Sequence, residues 1–148
     1  AGAAAFFSQF CQPMRQMPQK GVLMALVSEK ENKLDFTILV HGAAAHGSTP
    51  HLGKDAIVAA AAIIQALQTL VSRVNNPLRP LVLALENVKA GKQFNIICDQ
   101  VQLQGTLLGY DEELLAEMAE KLKRMAELTA ETFACKSEVR FSSQGGIC

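Results

Sequence analysis

The chain has 148 residues, 49% of them hydrophobic, and its 14 lysines and arginines balance its 14 aspartates and glutamates. This length and composition predict one globular domain with a sizeable core, and the balanced charge argues against a nucleic-acid partner. Because no apolar run approaches the roughly 20 residues that cross a bilayer, we expect a soluble protein without a membrane segment.

The cysteines carry information about the redox compartment. Cys11, Cys98, Cys135 and Cys148 form no closely spaced pair of the kind that binds metal. The opening residues AGAAAFF also lack the basic start of a secretory signal. We therefore expect reduced thiols in a cytoplasmic protein.

The N-terminal part has its own composition. Residues 1–20, with Pro13, Pro18 and several glutamines, are predicted to be an arm or linker. The following GVLMALV, which precedes the polar SEKENK, predicts an extra strand joined by a turn. The domain itself is predicted to span 21–148, with its core at 34–142.

Four later segments have strand patterns. Two alternate apolar and polar side chains, one is a continuous apolar run, and the last is a short alternating stretch. In chain order they are LDFTILVH, LVLALENV, QVQLQGTL and SEVRFS.

Two segments have helical periodicity, with apolar side chains at spacings of three and four. In the first, which starts at Asp55, the predicted apolar face is Ile57, Ala60, Ala61, Ile64, Leu67, Val71 and Val74. The second starts at Asp111, a suitable N-cap, and Glu117 and Lys121 are spaced to pair on its outer side. Its predicted stripe is Leu115, Met118, Leu122, Met125, Thr129 and Phe133.

The order of these elements predicts the fold. It reads strand, helix, strand, strand, helix, strand, and Gln100, Gln102 and Gln104 place polar side chains on one face of the sheet. Two helices suffice to cover the other face. We therefore predict an α+β, ferredoxin-like βαββαβ domain, with a four-stranded antiparallel sheet, two helices on one face and the extra N-terminal strand.

All three histidines lie in HGAAAHGSTPH, residues 41–51. The segment begins like a phosphate loop, with Gly42, Gly47 and Thr49 at the required spacing, but Ser48 stands where lysine is needed. Four more residues precede the helical pattern, so the helix start would not face a bound phosphate. Nucleotide binding is therefore not favoured.

Metal binding and triad chemistry are also disfavoured for this loop. The histidines share neither a helix face nor a strand face and have no Cys, Asp or Glu at a usual ligand spacing. A triad of His46, Ser48 and Asp55 would lack a strained nucleophile turn. His41 and His51 are predicted to be solvent or packing residues.

Several blocks resemble one known family. The first block is GAAAHGSTPHLGKDAI, and the second, which follows it, is AAIIQALQTLVSRVNNPLRPLVLALENVKAGKQFNIICDQVQLQGTL. Both resemble the lid, or dimerisation, domain of the zinc metallopeptidases that include hippurate hydrolase, aminoacylase and carboxypeptidase G. The resemblance runs from about Lys20 to near the end and is closest to the amidohydrolases that cleave N-acyl amino acids. It implies a separate catalytic domain with a two-metal site of zinc or manganese. This chain alone would then be neither metal-binding nor catalytic, although its full-length parent would be a hydrolase.

The resemblance also implies roles for two residues. His46 matches a histidine that reaches across the dimer to the scissile carbonyl oxygen of a small-molecule substrate, and Asn95 matches an asparagine that contacts substrate. Two departures accompany this match. GTLLGY has no arginine after Gly105-Thr106 to hold a substrate carboxylate, and Cys98 replaces a proline. The arm also lacks the metal histidine that the family carries before a proline.

The predicted partner is a second copy of the chain. LVLALENV at a sheet edge would pair with its copy across a two-fold axis, and the alanines of the first helix would allow close packing beside it. The alternative is a stand-alone small-ligand-binding or regulatory module with a ferredoxin-like fold, in which the histidine loop is only structural.

Overall fold

A computed structural model describes residues 31–142, so the predicted arm and N-terminal strand lie outside the described residues. A short 3₁₀ turn, Pro50–Leu52, precedes the first helix, and a π-helical turn, Leu70–Val74, ends it. The main elements are β1 (Asn32–His41), α1 (Ala56–Thr69), β2 (Leu81–Ala90), β3 (Gln100–Gly109), α2 (Glu112–Thr132) and β4 (Lys136–Ser142). All four predicted strands and both predicted helices are present.

The sheet has the strand order β2-β3-β1-β4, and every neighbouring pair is antiparallel. With the βαββαβ element order, this is the ferredoxin-like arrangement, so the predicted fold class is confirmed. β1 and β3 are central, and β2 and β4 are the edges. Phe36, Ile38, Val101, Leu103 and other inward-facing side chains are buried beneath the helices, while the predicted glutamine row lies on the opposite face.

The second helix follows its predicted signals. The Asp111 side chain accepts a hydrogen bond from the Leu114 N–H at 3.1 Å, and Glu117 pairs with Lys121 at 2.6 Å. A side-chain hydrogen bond from Arg79 lowers the pKa of the Asp111 carboxyl, and the backbone bond lowers it further. Because the folded-state pKa is depressed, this contribution to stability is present above the unfolded pKa and is lost as the pH falls through the folded one.

The buried face of α1 differs from the predicted stripe. Ala60 and Leu67 are buried as expected, but Ile57 is 47% exposed and Ala61 is exposed. The face that packs on the sheet consists of Ala56, Ala59, Ala60, Ile63 and Leu67. Because α1 is apolar on almost every side, apolar spacing does not determine which side faces the core.

By length and composition alone, Ala56–Val74 is a helix that could cross a membrane. This differs from the expectation that no apolar run is long enough to cross a bilayer. One such helix is only weak evidence for a span, since core helices pass the same test. Here one face of the helix, which includes Ala59, Ile63 and Leu67, is buried, and that face packs on the sheet.

One buried polar atom leads to a stability prediction. The Ser137 Oγ is buried on the helix side of β4 without a hydrogen-bond partner among the described residues. Replacement by alanine removes that unsatisfied group, so we expect Ser137→Ala to raise the free energy of unfolding by about 1 kcal/mol. Urea denaturation measures this value. Ser142→Ala, at an exposed position of the same strand, should change nothing, and a loss of stability in Ser137→Ala would contradict the prediction.

Candidate functional site

Two loops emerge from the same end of the sheet. We call residues 42–55, between β1 and α1, the histidine loop, and residues 91–99, between β2 and β3, the asparagine loop. β1 and β2 both pair antiparallel with β3, so they run parallel to each other and their carboxyl ends coincide. The fold therefore brings His46 and Asn95, 49 positions apart in the sequence, to one edge.

Main-chain hydrogen bonds join the two loops. The Gly47 N–H donates to the Asn95 carbonyl at 2.8 Å, and the Ile97 N–H donates to the Ala45 carbonyl at 2.8 Å. His46 lies between these two bonds, in an isolated antiparallel bridge. The backbone next to both predicted substrate-binding residues is thereby fixed, although they are far apart in the chain.

The histidine loop also folds back on itself. Ala43 and Lys54 exchange two N–H to carbonyl bonds of 2.9 Å each, and the Gly42 N–H donates to the Asp99 carbonyl at 2.8 Å. A Cβ atom on Gly42 would lie well inside 3.0 Å of the Lys54 carbonyl oxygen. The N–H groups of Gly42 and Gly47 thus donate to carbonyl oxygens, and this arrangement does not form a phosphate cradle.

A neighbouring serine orients the His46 ring. The Ser48 N–H donates to Nδ1 of His46 at 3.2 Å, and the Ser48 hydroxyl lies 2.7 Å from the same atom. A backbone N–H can only donate, so Nδ1 is an acceptor and a neutral ring carries its proton on Nε2. The side chain is exposed. With this tautomer, the hydrogen-bond donor of the exposed His46 ring is its Nε2–H.

Asn95 is held in a left-handed backbone conformation, with φ of +64°. Asparagine adopts this conformation more readily than most residues with a side chain. Because the Asn95 carbonyl is bonded to Gly47, the exposed carboxamide lies on the same short ladder as His46. Asn95 and His46 are therefore neighbours in this ladder, and both residues are exposed.

Asp55, the third residue of the triad considered with His46 and Ser48, has a different role. Oδ1 of Asp55 accepts hydrogen bonds from the Ile57 and Val58 N–H groups at 2.9 and 3.3 Å. This is the N-cap of α1, and it occupies the carboxylate that a triad would need. The structure gives no support to nucleophilic catalysis by Ser48.

The departure at the family's arginine position is visible on β3. Leu107 and Gly109 are buried on the helix side, whereas Leu108 lies half-buried on the open face between Val82 and Lys33. No guanidinium therefore extends from this part of the strand.

The described residues also lack a group of side chains that could bind a metal ion. Across 31–142, no three His, Cys, Asp or Glu side chains are grouped so that they could hold a metal ion. His41 and His51 are exposed. The residues in this part of the chain do not fit a two-metal centre.

Comparison with known proteins identifies the family. The profile of the peptidase dimerisation domain matches residues 29–133, so the chain belongs to the dimerisation domains of the M20 peptidase family. This agrees with the resemblance found in the sequence.

Relatives and a solved structure are consistent with this assignment. The N-acetyl-L-cysteine deacetylase of Bacillus subtilis is 33% identical over 123 residues, which cover 83% of this chain and 28% of that protein. The N-acetyldiaminopimelate deacetylase of Pediococcus pentosaceus is 35% identical over 126 residues, covering 85% and 31%. A Bacillus subtilis dinuclear metal-binding peptidase from the M20 family superposes with a TM-score of 0.59 at 25% identity, covering 76% of this chain and 26% of that one. The chain thus spans less than a third of the length of these relatives.

Proposed function

We propose that this chain is the lid and dimerisation module of a metal-dependent amidohydrolase or peptidase that acts on N-acyl amino acids or small peptides. The family supports self-association, and two relatives are named for deacetylation of N-acetyl amino acids. The described residues lack a metal-binding cluster, so a zinc or manganese centre would be supplied by a separate catalytic domain. The free thiols of Cys98 and Cys135 support a cytoplasmic location.

The observation that carries the proposal is the main-chain ladder that joins the two loops. It holds a donor-oriented His46 beside Asn95 at an exposed edge. In the proposed function, the Nε2–H of His46 donates to the substrate carbonyl oxygen as negative charge develops on it, and Asn95 contributes its carboxamide. The substrate is held by the catalytic domain of the partner subunit, so the lid completes the site on closure.

The proposed dimer uses the edge strand β2 and the adjoining flank of α1. Both helices pack over β3 and β1, but α1 also contacts the edge strand β2, whereas α2 contacts the other edge strand, β4. Thr69 of α1 lies against Met125 of α2 at 3.9 Å, which identifies the α2 side of the helix. On the flank away from α2, the helical spacing places the apolar residues Ile57, Ala61 and Ile64.

These features form one surface for a second copy of the chain. Within residues 31–142, the outer edge of β2 pairs with no other strand, so its main-chain groups are available to pair with another β2 beside the apolar flank of α1. This flank also accounts for the apolar residues that the sequence placed on the buried face of α1. Ile57 and Ala61 are exposed and Ile64 is half-buried, and in the proposed dimer a second copy of the chain covers them.

A charge on this flank provides the experimental test. We expect Ile57→Glu to weaken self-association at least about tenfold, because it buries a charge where an apolar contact forms. Sedimentation equilibrium over a range of concentrations measures the dissociation constant. An acidic residue in the first turn of a helix is locally favourable, so folding should be retained.

Leu128→Lys is the matched control. Leu128 is 52% exposed, close to the 47% of Ile57, but it belongs to α2. The added cation lies near the carboxyl end of its helix, where the dipole also favours it, and the dimer should be unchanged. A native chain that stays monomeric at every concentration, or equal effects of the two substitutions, would count against the proposed interface.

A further inference from the structure

One buried thiol links the two ends of the asparagine loop. The Gly91 N–H donates to Sγ of Cys98 at 3.3 Å, and the Cys98 thiol donates to the Gln100 carbonyl at 3.0 Å. Gly91 is the first residue of the loop and Gln100 is the first residue of β3. Cys98 is only 6% exposed, so these polar contacts are largely shielded from water.

The same stretch also anchors α1 and the histidine loop. The Cys98 carbonyl accepts a hydrogen bond from the N–H of Ala56, the first residue of α1, at 3.0 Å. The next carbonyl, that of Asp99, accepts from the Gly42 N–H at 2.8 Å. Loss of order at Cys98 would therefore reach both loops and the start of α1.

We propose that Cys98 is a positioning residue whose thiol holds the asparagine loop in the conformation that presents Asn95 beside His46. The thiol contacts no substrate and acts through the main chain of the loop. The importance of this positioning for substrate binding rests on the proposed function, whereas the ordering of the loop by the thiol does not.

A second buried cysteine shows the contrasting case. Cys135 is 2% exposed, and its Sγ approaches the Asp55 carbonyl only to 3.8 Å. Burial raises the pKa of the Cys135 thiol, so the thiol stays protonated and uncharged. Cys135 therefore behaves as a small apolar side chain of the core. Cys98 differs because its sulfur both accepts and donates a hydrogen bond, and both contacts connect the ends of one loop.

Amide hydrogen exchange of the full 148-residue chain, followed by NMR, tests this role. The probes are the amides of Gly47 and Ile97, which join the two loops, with Ile38 in the central strand β1 as the reference. We expect Cys98→Ala to speed exchange at both probes about tenfold and to leave Ile38 unchanged, because local opening becomes easier without global unfolding. Cys98→Ser keeps one donor and one acceptor, and it should restore the slow exchange to within about threefold of the native chain.

Two further variants keep the test decisive. Cys98→Val fills the space of the thiol with apolar atoms only, and it replaces Cys98→Ala if the cavity left by alanine prevents folding. Cys135→Ala is the matched control, and it should leave the exchange of Gly47 and Ile97 unchanged.

Three results would overturn the proposal: unchanged loop exchange in Cys98→Ala or Cys98→Val, faster exchange at all three probes alike, or failure of Cys98→Ser to restore protection. No substrate is needed for the measurement. Its failure can therefore be distinguished from failure of the proposed lid function, which is tested by dimer formation.

Discussion

Under the proposed function, His46→Ala in a chain that includes the proposed catalytic domain is expected to lower kcat by about 100- to 1,000-fold and to change KM little. A hydrogen-bond donor that meets charge developing in the transition state contributes to kcat much more than to ground-state binding. Steady-state kinetics with an N-acyl amino acid measures both constants. An unchanged kcat would contradict the proposed role of His46.

Controls can separate the role of the ring from damage to the loop. His51→Ala removes an exposed imidazole from the same loop, and it should leave kcat unchanged. Asn95→Gly removes the carboxamide but permits the backbone φ of +64°, so a kinetic defect in it can be attributed to the side chain.

Mixing subunits tests action across the dimer. His46→Ala protein, mixed with protein whose catalytic metal site is disabled, should regain activity because each heterodimer contains one complete site. If the mixture gains no activity while heterodimers are present, the histidine does not act on the partner subunit.

Gly42→Ala is expected to lower the free energy of unfolding by about 3 kcal/mol, because the new methyl group meets backbone atoms where the histidine loop leads into α1. The nearest are the carbonyl oxygen of Lys54 and the nitrogen of Ala56. Neither can move without breaking the Ala43–Lys54 pair or the start of α1. Urea denaturation of the 148-residue chain measures the loss.

A second glycine separates steric clash from backbone preference. Gly91 has φ of +73°, but a Cβ there meets nothing within 4 Å. Gly91→Ala therefore carries only the conformational penalty, which we expect to be about 1 kcal/mol. Equal losses in the two variants would show that the Lys54 contact does not determine the effect of Gly42→Ala.

The fold was predictable because local patterns and chain order agreed. Alternating strands such as LDFTILVH, the cap at Asp111 and the glutamine row fit a single layered arrangement, and each signal lies within a few neighbouring residues. The buried face of α1 was not predictable in this way. Alanine and isoleucine occupy most sides of that helix, so the side that contacts the sheet depends on packing rather than on periodicity.

The candidate site was predictable only in part. His46 and Asn95 were identified through resemblance to the family, not through a local pattern. Their pairing depends on main-chain bonds between residues about 50 positions apart, and such bonds leave no periodic signal in the sequence. The contacts of Cys98 were missed for the same reason, because a cysteine in place of a proline suggests only a changed turn.

The hydrogen bonds given above between the two loops are formed by main-chain atoms. The side chains of Ala44, Phe94 and Ile96 are exposed and have no part in those bonds. Single substitutions at these three positions can therefore change the surface around His46 and leave the main-chain ladder intact. In the proposed function, this surface can vary in polarity while the backbone that positions His46 stays the same.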